Sequence, residues 1–356
     1  MARIAALDGW RAISIVLVLI GHVLNYRLGL SEPHITGFAW YASQLGVKVF
    51  FVISGYLITT ISLKEEAHAG ALHAGSFYLR RAFRILPAFA AYLLGVTLLS
   101  MSGAIDQSLE GLQRAAQFSC NVPGRECGWF ANHTWSLAYE QQFYLLFPLV
   151  FLAAARTRRR WALGSHLVAV VAPFAALALN ADAQSLCLFV GRFSSITMGV
   201  VLGLFGRELM RFASRRSLLA LALAALLASV ALAGLNLGHL PYPVRSALDG
   251  LLLPPAVAWL IFVSVHAAGA WSALLELRAV RYLGAISYSL YLWQQVFTGP
   301  VARYVNPAWF TPLLALPIAM LSYHFIEQPF VRLGRRLSAR LPRRAADPGE
   351  GARSAA

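Results

Sequence analysis

Charge is what this 356-residue sequence has least of: only 13% of its residues are Asp, Glu, Lys or Arg. Soluble domains usually carry about 25% charged residues, so that class is excluded. Acid is scarcest, with 15 Asp and Glu against 30 Lys and Arg and a formal net charge of +15. Three cysteines permit one disulfide at most. There is no internal repeat, no stretch that would fit a second soluble domain, and no pattern that leads us to expect a metal site. Arg11 interrupts the first apolar run, and no small-residue cleavage site precedes the second, so a cleavable signal peptide is not expected. What is abundant is apolar side chain: 58% of residues are hydrophobic and the mean hydropathy is +0.62. Apolar runs of about twenty residues recur along almost the whole length, too many for one buried core. The expectation is an all-α, polytopic integral membrane protein.

Ten spans are expected, at about 10–28, 38–62, 87–103, 135–155, 161–179, 186–206, 217–235, 247–268, 282–299 and 309–329. The few charges test that arrangement. Placing both termini inside puts 22 Lys and Arg on inner segments and five on outer ones, with Arg11, Lys48 and Arg192 inside spans. That asymmetry predicts N-in and C-in. Residues 1–331 form the transmembrane domain, and 332–356 are read as a basic, disordered cytoplasmic tail. The clustered arginines point to anionic lipid as electrostatic partner; with no stacking platform, nucleic acid is not expected. The one long outer loop, about 104–134, holds Cys120 and Cys127 in "CNVPGREC", which either close a disulfide or remain free thiols; Cys187 reads as a core residue.

Ionisable groups inside spans are costly, so they are the first candidates for function. In "ALDGWRAISIVLVLIGHVL" (6–24), Arg11 and His22 share one helix face and lie roughly 16 Å apart along the axis. A neutral, buried imidazole suits a general base, although a histidine merely satisfied by a neighbouring helix would look the same. In "NHTWSLAYEQQFYLLFP" (132–148), Glu140 is expected near the depth of His22, where it would orient the imidazole or stabilise its protonated form. Arg192 falls at a similar depth and either joins the site or pairs with Glu140 structurally. On the inner side, Arg80, Arg81 and Arg84 in "FYLRRAFRILP" (77–87) offer a polyphosphate site or ordinary inner-face charge, and Glu327 reaches the same side. Lys48 has no evident partner. Ser54-Gly55 permits close backbone approach, for packing or for a narrow ligand. A cationic inner mouth beneath a deep base suits a long phosphorylated donor such as acyl-coenzyme A.

These blocks together resemble the membrane acyltransferase-3 family. The resemblance runs from "LDGWRAISIVLVLIGH" to "FIEQPF" and includes "FFVISGYLIT" (50–59), "RRAFRILP" (80–87), "HTWSLAYEQQFYLLFP" (133–148) and "LGAISYSLYLW" (283–293). It implies an enzyme transferring groups other than amino-acyl groups. Most often this is an O-acetyltransferase of the bacterial inner (plasma) membrane, moving acetyl from cytoplasmic acetyl-CoA to a hydroxyl of a glycan or glycolipid such as a surface polysaccharide. Acyl-CoA would be a co-substrate, with no permanently bound cofactor. By resemblance His22 is the catalytic residue and Arg11 its required companion, and of the paired acids of the family only Glu140 can act here. Arg80, Arg81, Arg84 and Ser54 would serve the donor, and His133, Trp135, Ser136, Tyr139, Arg192, Tyr288 and Tyr291 would support the acceptor or the site. Three positions depart from the family pattern. Gln141 replaces a second acid, Gln294 stands where many members have histidine, and Lys48 stands where acid is frequent. Some members carry a C-terminal extracytoplasmic domain that is not expected here. The rival readings are a transporter or flippase of an acylated glycan or lipid, and a non-catalytic subunit of a glycan-assembly complex.

Overall fold

A computed structural model describes residues 4–28, 33–212, 216–234, 242–266 and 269–341. Its helices in chain order are α1 (Ala5–His22), α2 (Pro33–Ala69), α3 (Ala74–Met101), α4 (Leu109–Ala116), α5 (Trp129–Asn132), α6 (Thr134–Ala153), α7 (Arg158–Ala175), α8 (Ala181–Gly191), α9 (Ser194–Leu209), α10 (Arg216–Gly234), α11 (Tyr242–His266), α12 (Ala270–Leu275), α13 (Arg278–Phe297), α14 (Ala315–Ser322) and α15 (Gln328–Arg340). The protein is all-α and polytopic. Among the described residues, six helical stretches are long and apolar enough to cross a membrane: Ala5–Arg27, Ile35–Ala69, Ala74–Met101, Arg158–Ala178, Ala183–Phe212 and Pro243–His266. The other four segments expected to span are also helical, as α6, α10, α13 and α14 with its continuation. Glu140-Gln141-Gln142 in α6 and the serines, tyrosines and glutamines of α13 lower their apolar character.

Helix packing explains several of the sequence's glycines. The pairs α2–α9, α1–α2 and α1–α13 make the most extensive contacts. A Cβ on Gly55 would collide with the Ile196 carbonyl, and one on Gly199 with the Val52 carbonyl, so α2 and α9 touch backbone to backbone. Gly55 therefore serves packing, while its neighbour Ser54 faces the polar interior. Two helices widen to i→i+5 hydrogen bonding, at Val23–Arg27 directly after His22 and at Tyr323–Glu327. Such turns re-aim the side chains around them.

One end of the bundle carries the loop between α3 and α6, where Cys120 and Cys127 are joined by a disulfide. The opposite end carries Arg80, Arg81 and Arg84, in the first turns of α3. The tail needs a correction. Residues expected to be disordered from 332 onward are helical through Arg340, because α15 is amphipathic and lies on α3. Gly334 sits against Phe83, and Phe330 packs beside the same ring. Residues 342–356, the rest of that expected tail, lie outside the described residues.

Candidate active site

The long α1 delivers His22 to a small cavity of about 170 Å³ near the disulfide end. Val18, one turn earlier, lines the same cavity, together with Tyr26, Trp40, Gln44, Trp129, His133, Trp135, Tyr291 and Gln295. His22 Nδ1 lies 2.9 Å from Gln294 Oε1. The direction of that bond follows from the chain of amides behind it. The Trp129 carbonyl can only accept, so Gln295 donates its Nε2–H to it at 2.9 Å. Gln295 Oε1 is then the acceptor for Gln294 Nε2, at 3.2 Å. That leaves Gln294 Oε1 facing His22, which must donate from Nδ1 and keep its lone pair on Nε2. Thr298 holds the same oxygen at 3.0 Å. A neutral amide chain thus does what a carboxylate often does for a catalytic histidine.

His133, at the start of α6, is only 4% exposed, and among the described residues neither of its ring nitrogens has a hydrogen-bond partner. Its ring lies between Tyr92 and Tyr291, with centroids 5.3 Å from each. Tyr291 Oη donates toward the His133 carbonyl at 2.7 Å and lies 2.6 Å from Ser136 Oγ.

Toward the opposite end the polar side chains continue along α2, α6 and α3. One turn after Ser136, Glu140 accepts from Ser54 Oγ at 2.6 Å and from Tyr144 Oη. Tyr144 Oη also lies 2.5 Å from Ser54 Oγ. Arg81 then lies over the Tyr144 ring, with its Cζ 5.2 Å from the centroid. Beyond it, Arg80 pairs with Glu65 at 2.6 Å, and Arg84 pairs with the buried Glu327 at 3.5 Å. Ser289 donates to Glu327 as well, at 2.9 Å. A polar seam therefore runs from the histidines to the arginines through an apolar bundle.

Several sequence expectations are redrawn by this geometry. Glu140 is not bonded to His22: the side chains bonded to it are Ser54 and Tyr144, on the arginine side of the cavity, and the side chain on His22 Nδ1 is Gln294. Arg192 stacks on Trp135, 5.0 Å from Cζ to centroid, instead of pairing with Glu140. Arg11 pairs with Asp8 at 3.8 Å, three turns of α1 away from His22. Trp135, His133 and Tyr291 share the His22 cavity, whereas Tyr139 and Arg192 line a larger neighbouring one. Tyr288 lines neither and donates to the Ile85 carbonyl at 2.9 Å. Lys48 finds its partner in Asp249 of α11. Sequence reasoning missed Asp249, although an acid in an apolar run was the natural counterpart of Lys48. It also missed Tyr144, whose i,i+4 spacing from Glu140 was visible, and Gln295, which carried no local signal. Among the described residues, no group of three His, Cys, Asp or Glu is placed to hold a metal ion.

The family described as an acyltransferase domain, acyltransferase-3, matches residues 4–323. The O-acetyltransferase OatA of Staphylococcus aureus is 26% identical over 371 residues, covering 95% of this chain and 59% of its own length. "Putative peptidoglycan O-acetyltransferase YrhL" of Bacillus subtilis is 28% identical over 376 residues, covering 95% of this chain and 56% of its own. The chain thus spans under three fifths of the length of these relatives. No solved structure matches it. With the match reaching from the turn before Arg11 to the helix that ends beside Glu327, the chain belongs to the membrane acyltransferase-3 family.

Proposed function

We propose that this chain is a plasma-membrane O-acyltransferase that moves an acetyl group from acetyl-CoA to a hydroxyl of a glycan. Ten helical passes, with both termini and the arginine end in the cytoplasm, fit the distribution of basic residues. The observation that carries the reading is the His22 imidazole. It faces a polar cavity with Nδ1 engaged and Nε2 open, at one end of a seam whose other end is an arginine cluster.

In this mechanism the phosphates of the donor lie at the arginine end, with Arg81 as the main contact, and the acyl-pantetheine arm follows the seam past Tyr144, Ser54 and Glu140. His22 Nε2 removes the proton of the acceptor hydroxyl as its oxygen attacks the thioester carbonyl. The C–S bond breaks, and the thiolate takes the proton from the imidazolium and leaves as free coenzyme A. A two-step relay through an acyl-imidazole would use the same nitrogen. Arg11, with Asp8, braces the cytoplasmic half of α1. His133, Trp135, Ser136 and Tyr291 shape the place where the hydroxyl must sit.

The test is acyl transfer by purified protein, followed as coenzyme A release together with the acyl mass gained by the acceptor. His22→Ala is expected to lose about 10²–10⁴-fold in rate, the range for a general base. Coenzyme A release that persists in H22A, or transport of a glycan without any release, would sink the proposal in favour of another base or of a transporter.

A further inference from the structure

His133 lines the His22 cavity and is buried, and neither of its ring nitrogens has a hydrogen-bond partner among the described residues. The Leu292 carbonyl approaches the ring without the geometry of a hydrogen bond. A buried polar group left unsatisfied is costly and calls for an explanation. Looseness is not the explanation. The His133 carbonyl accepts from Tyr291 Oη at 2.7 Å and from the Ser136 amide and hydroxyl, each at 3.3 Å. Tyr92 and Tyr291 flank the ring, and Tyr92 is itself tied to the Phe130 carbonyl. The protein holds this imidazole in place and leaves its polar edge unused.

The rest of the cavity wall makes His133 stand out. Among the described lining residues, Ser43, His133, Tyr291 and Gln295 are buried and carry a polar side-chain group. Three of them spend their donors on backbone carbonyls: Ser43 on Trp40 at 2.8 Å, Tyr291 on His133 at 2.7 Å and Gln295 on Trp129 at 2.9 Å. His133 is the buried donor left for a ligand, since a neutral imidazole carries one N–H in either tautomer. Tyr26, Trp40, Gln44, Asn132 and Trp135 also line the larger neighbour of about 1080 Å³, so the two cavities join along that side. The four buried residues belong to the small cavity alone.

His133 also ends the polar seam. His133, Ser136, Glu140 and Tyr144 follow one another at helical spacing and share one face of α6. A thioester arriving along that face from the arginine end meets His133 at its tip. In the transfer step the acceptor hydroxyl gives its proton to His22 as its oxygen bonds to the carbonyl carbon. The C=O π electrons move onto the thioester oxygen, and that atom has had no partner so far.

We propose that His133 is the oxyanion donor of the transfer, its N–H bonded to the thioester oxygen more strongly as charge develops there. The inference rests on the acyltransferase reading and deepens it. His133 keeps its proton throughout. When the C=O bond re-forms and the C–S bond breaks, the thiolate takes the proton held by His22. A neutral N–H suits this place, because a second cation would repel the imidazolium forming at His22.

The experiment uses membranes of the native host that lack its own copy of the gene and carry the wild-type or a variant chain, so the acceptor is present. Isotope-labelled acetyl-CoA is supplied, and the label gained by the glycan fraction is followed against donor concentration. Rates are taken per coenzyme A site, titrated on each purified variant, so that an unfolded fraction drops out. His133→Phe keeps a flat ring between Tyr92 and Tyr291 but has no N–H. Its kcat is expected to fall about 10²–10³-fold, the range for one oxyanion donor, with the KM for acetyl-CoA within about twofold of the wild type. His133→Asn returns an N–H and should be about tenfold or more faster than H133F. The pH profile of both variants should stay that of the wild type, because His22 remains the base. A kcat for H133F within about threefold of the wild type, or H133N no faster than H133F, overturns the proposal and leaves the acyltransferase reading standing. A shifted pH profile in H133N also overturns it, in favour of His133 as a proton carrier. A wild type that labels no glycan sinks the acyltransferase reading and this inference with it.

Discussion

The two ends of the polar seam solve the same problem by different means. At the arginine end the protein spends its scarce carboxylates. Glu65 pairs with Arg80, Glu327 with Arg84, Glu66 with Arg158 in a two-pronged contact, and Glu208 with Arg159. At the histidine end His22 is held by neutral amides, from Gln294 to Gln295 to the Trp129 carbonyl. Ion pairs tolerate motion and exchange with phosphate, which suits a mouth where a charged donor comes and goes. An amide chain fixes a tautomer without placing a second charge beside the reacting atoms. On the proposed mechanism, binding by exchange and catalysis by pre-organisation share one seam whose supports differ in kind: ion pairs at one end and neutral amides at the other.

Removing the amide support is the sharpest way to test that contrast. Gln294→Leu should lower the transfer rate by about 10–100-fold, the range for partners that orient a working imidazole, while leaving the KM for acetyl-CoA near its wild-type value. Gln294→Glu keeps an acceptor oxygen against Nδ1 and should retain more activity than Q294L. If Q294L instead raised the donor KM with an unchanged rate, the histidine end would be a binding region like the other.

At the arginine end the three guanidiniums should separate. Arg81 is the one stacked on Tyr144 rather than paired with a carboxylate among the described residues, so Arg81→Ala should raise the donor KM about tenfold. Arg80→Ala should raise it by only a few-fold, because Glu65 already competes for that side chain. Arg84→Ala should act on stability, since it removes an ion-pair contact of the buried Glu327 carboxylate. Equal KM effects from R80A and R81A, with unchanged melting for R84A, would show that the pairs do not differ in role.

The smallest effect is expected outside the seam. Cys120 and Cys127 close a short loop of seven-residue separation, and replacing both with Ala should cost about 2 kcal/mol or less, read as a lowered Tm. Cys120 also accepts from Thr134 at 3.2 Å, at the start of the helix that carries His133 and Trp135, so acceptor KM should rise modestly. A large loss of rate would mean that this loop sets the geometry around His22 rather than only the wall of the larger cavity.

Much of this was legible in the chain. The apolar runs announced the helices, and Arg11, Lys48, Glu140 and Arg192 stood out because charge inside a span is rare. Pairing was harder to read. Nothing local says that Lys48 meets Asp249, 201 positions later, or that Glu140 turns to Ser54 and Tyr144 instead of His22. Depth along an axis can be counted in residues, but the direction a side chain takes around its helix depends on which neighbour packs there. The ordered start of the tail was missed for a related reason: α15 reads as polar by composition, and only the groove beside Phe83 gives its apolar face something to cover.

By itself the sequence determined the solvent and the secondary structure. A chain this apolar and this poor in charge must satisfy its backbone internally, and helices do so residue by residue with no help from distant parts. The tertiary structure alone decided which polar groups face one another: that His22 is oriented by Gln294 rather than by Glu140, that Arg192 leans on Trp135, and that two cavities join. Those outcomes depend on helix rotation and register, which small differences among many packing contacts settle together and which no short stretch of residues encodes.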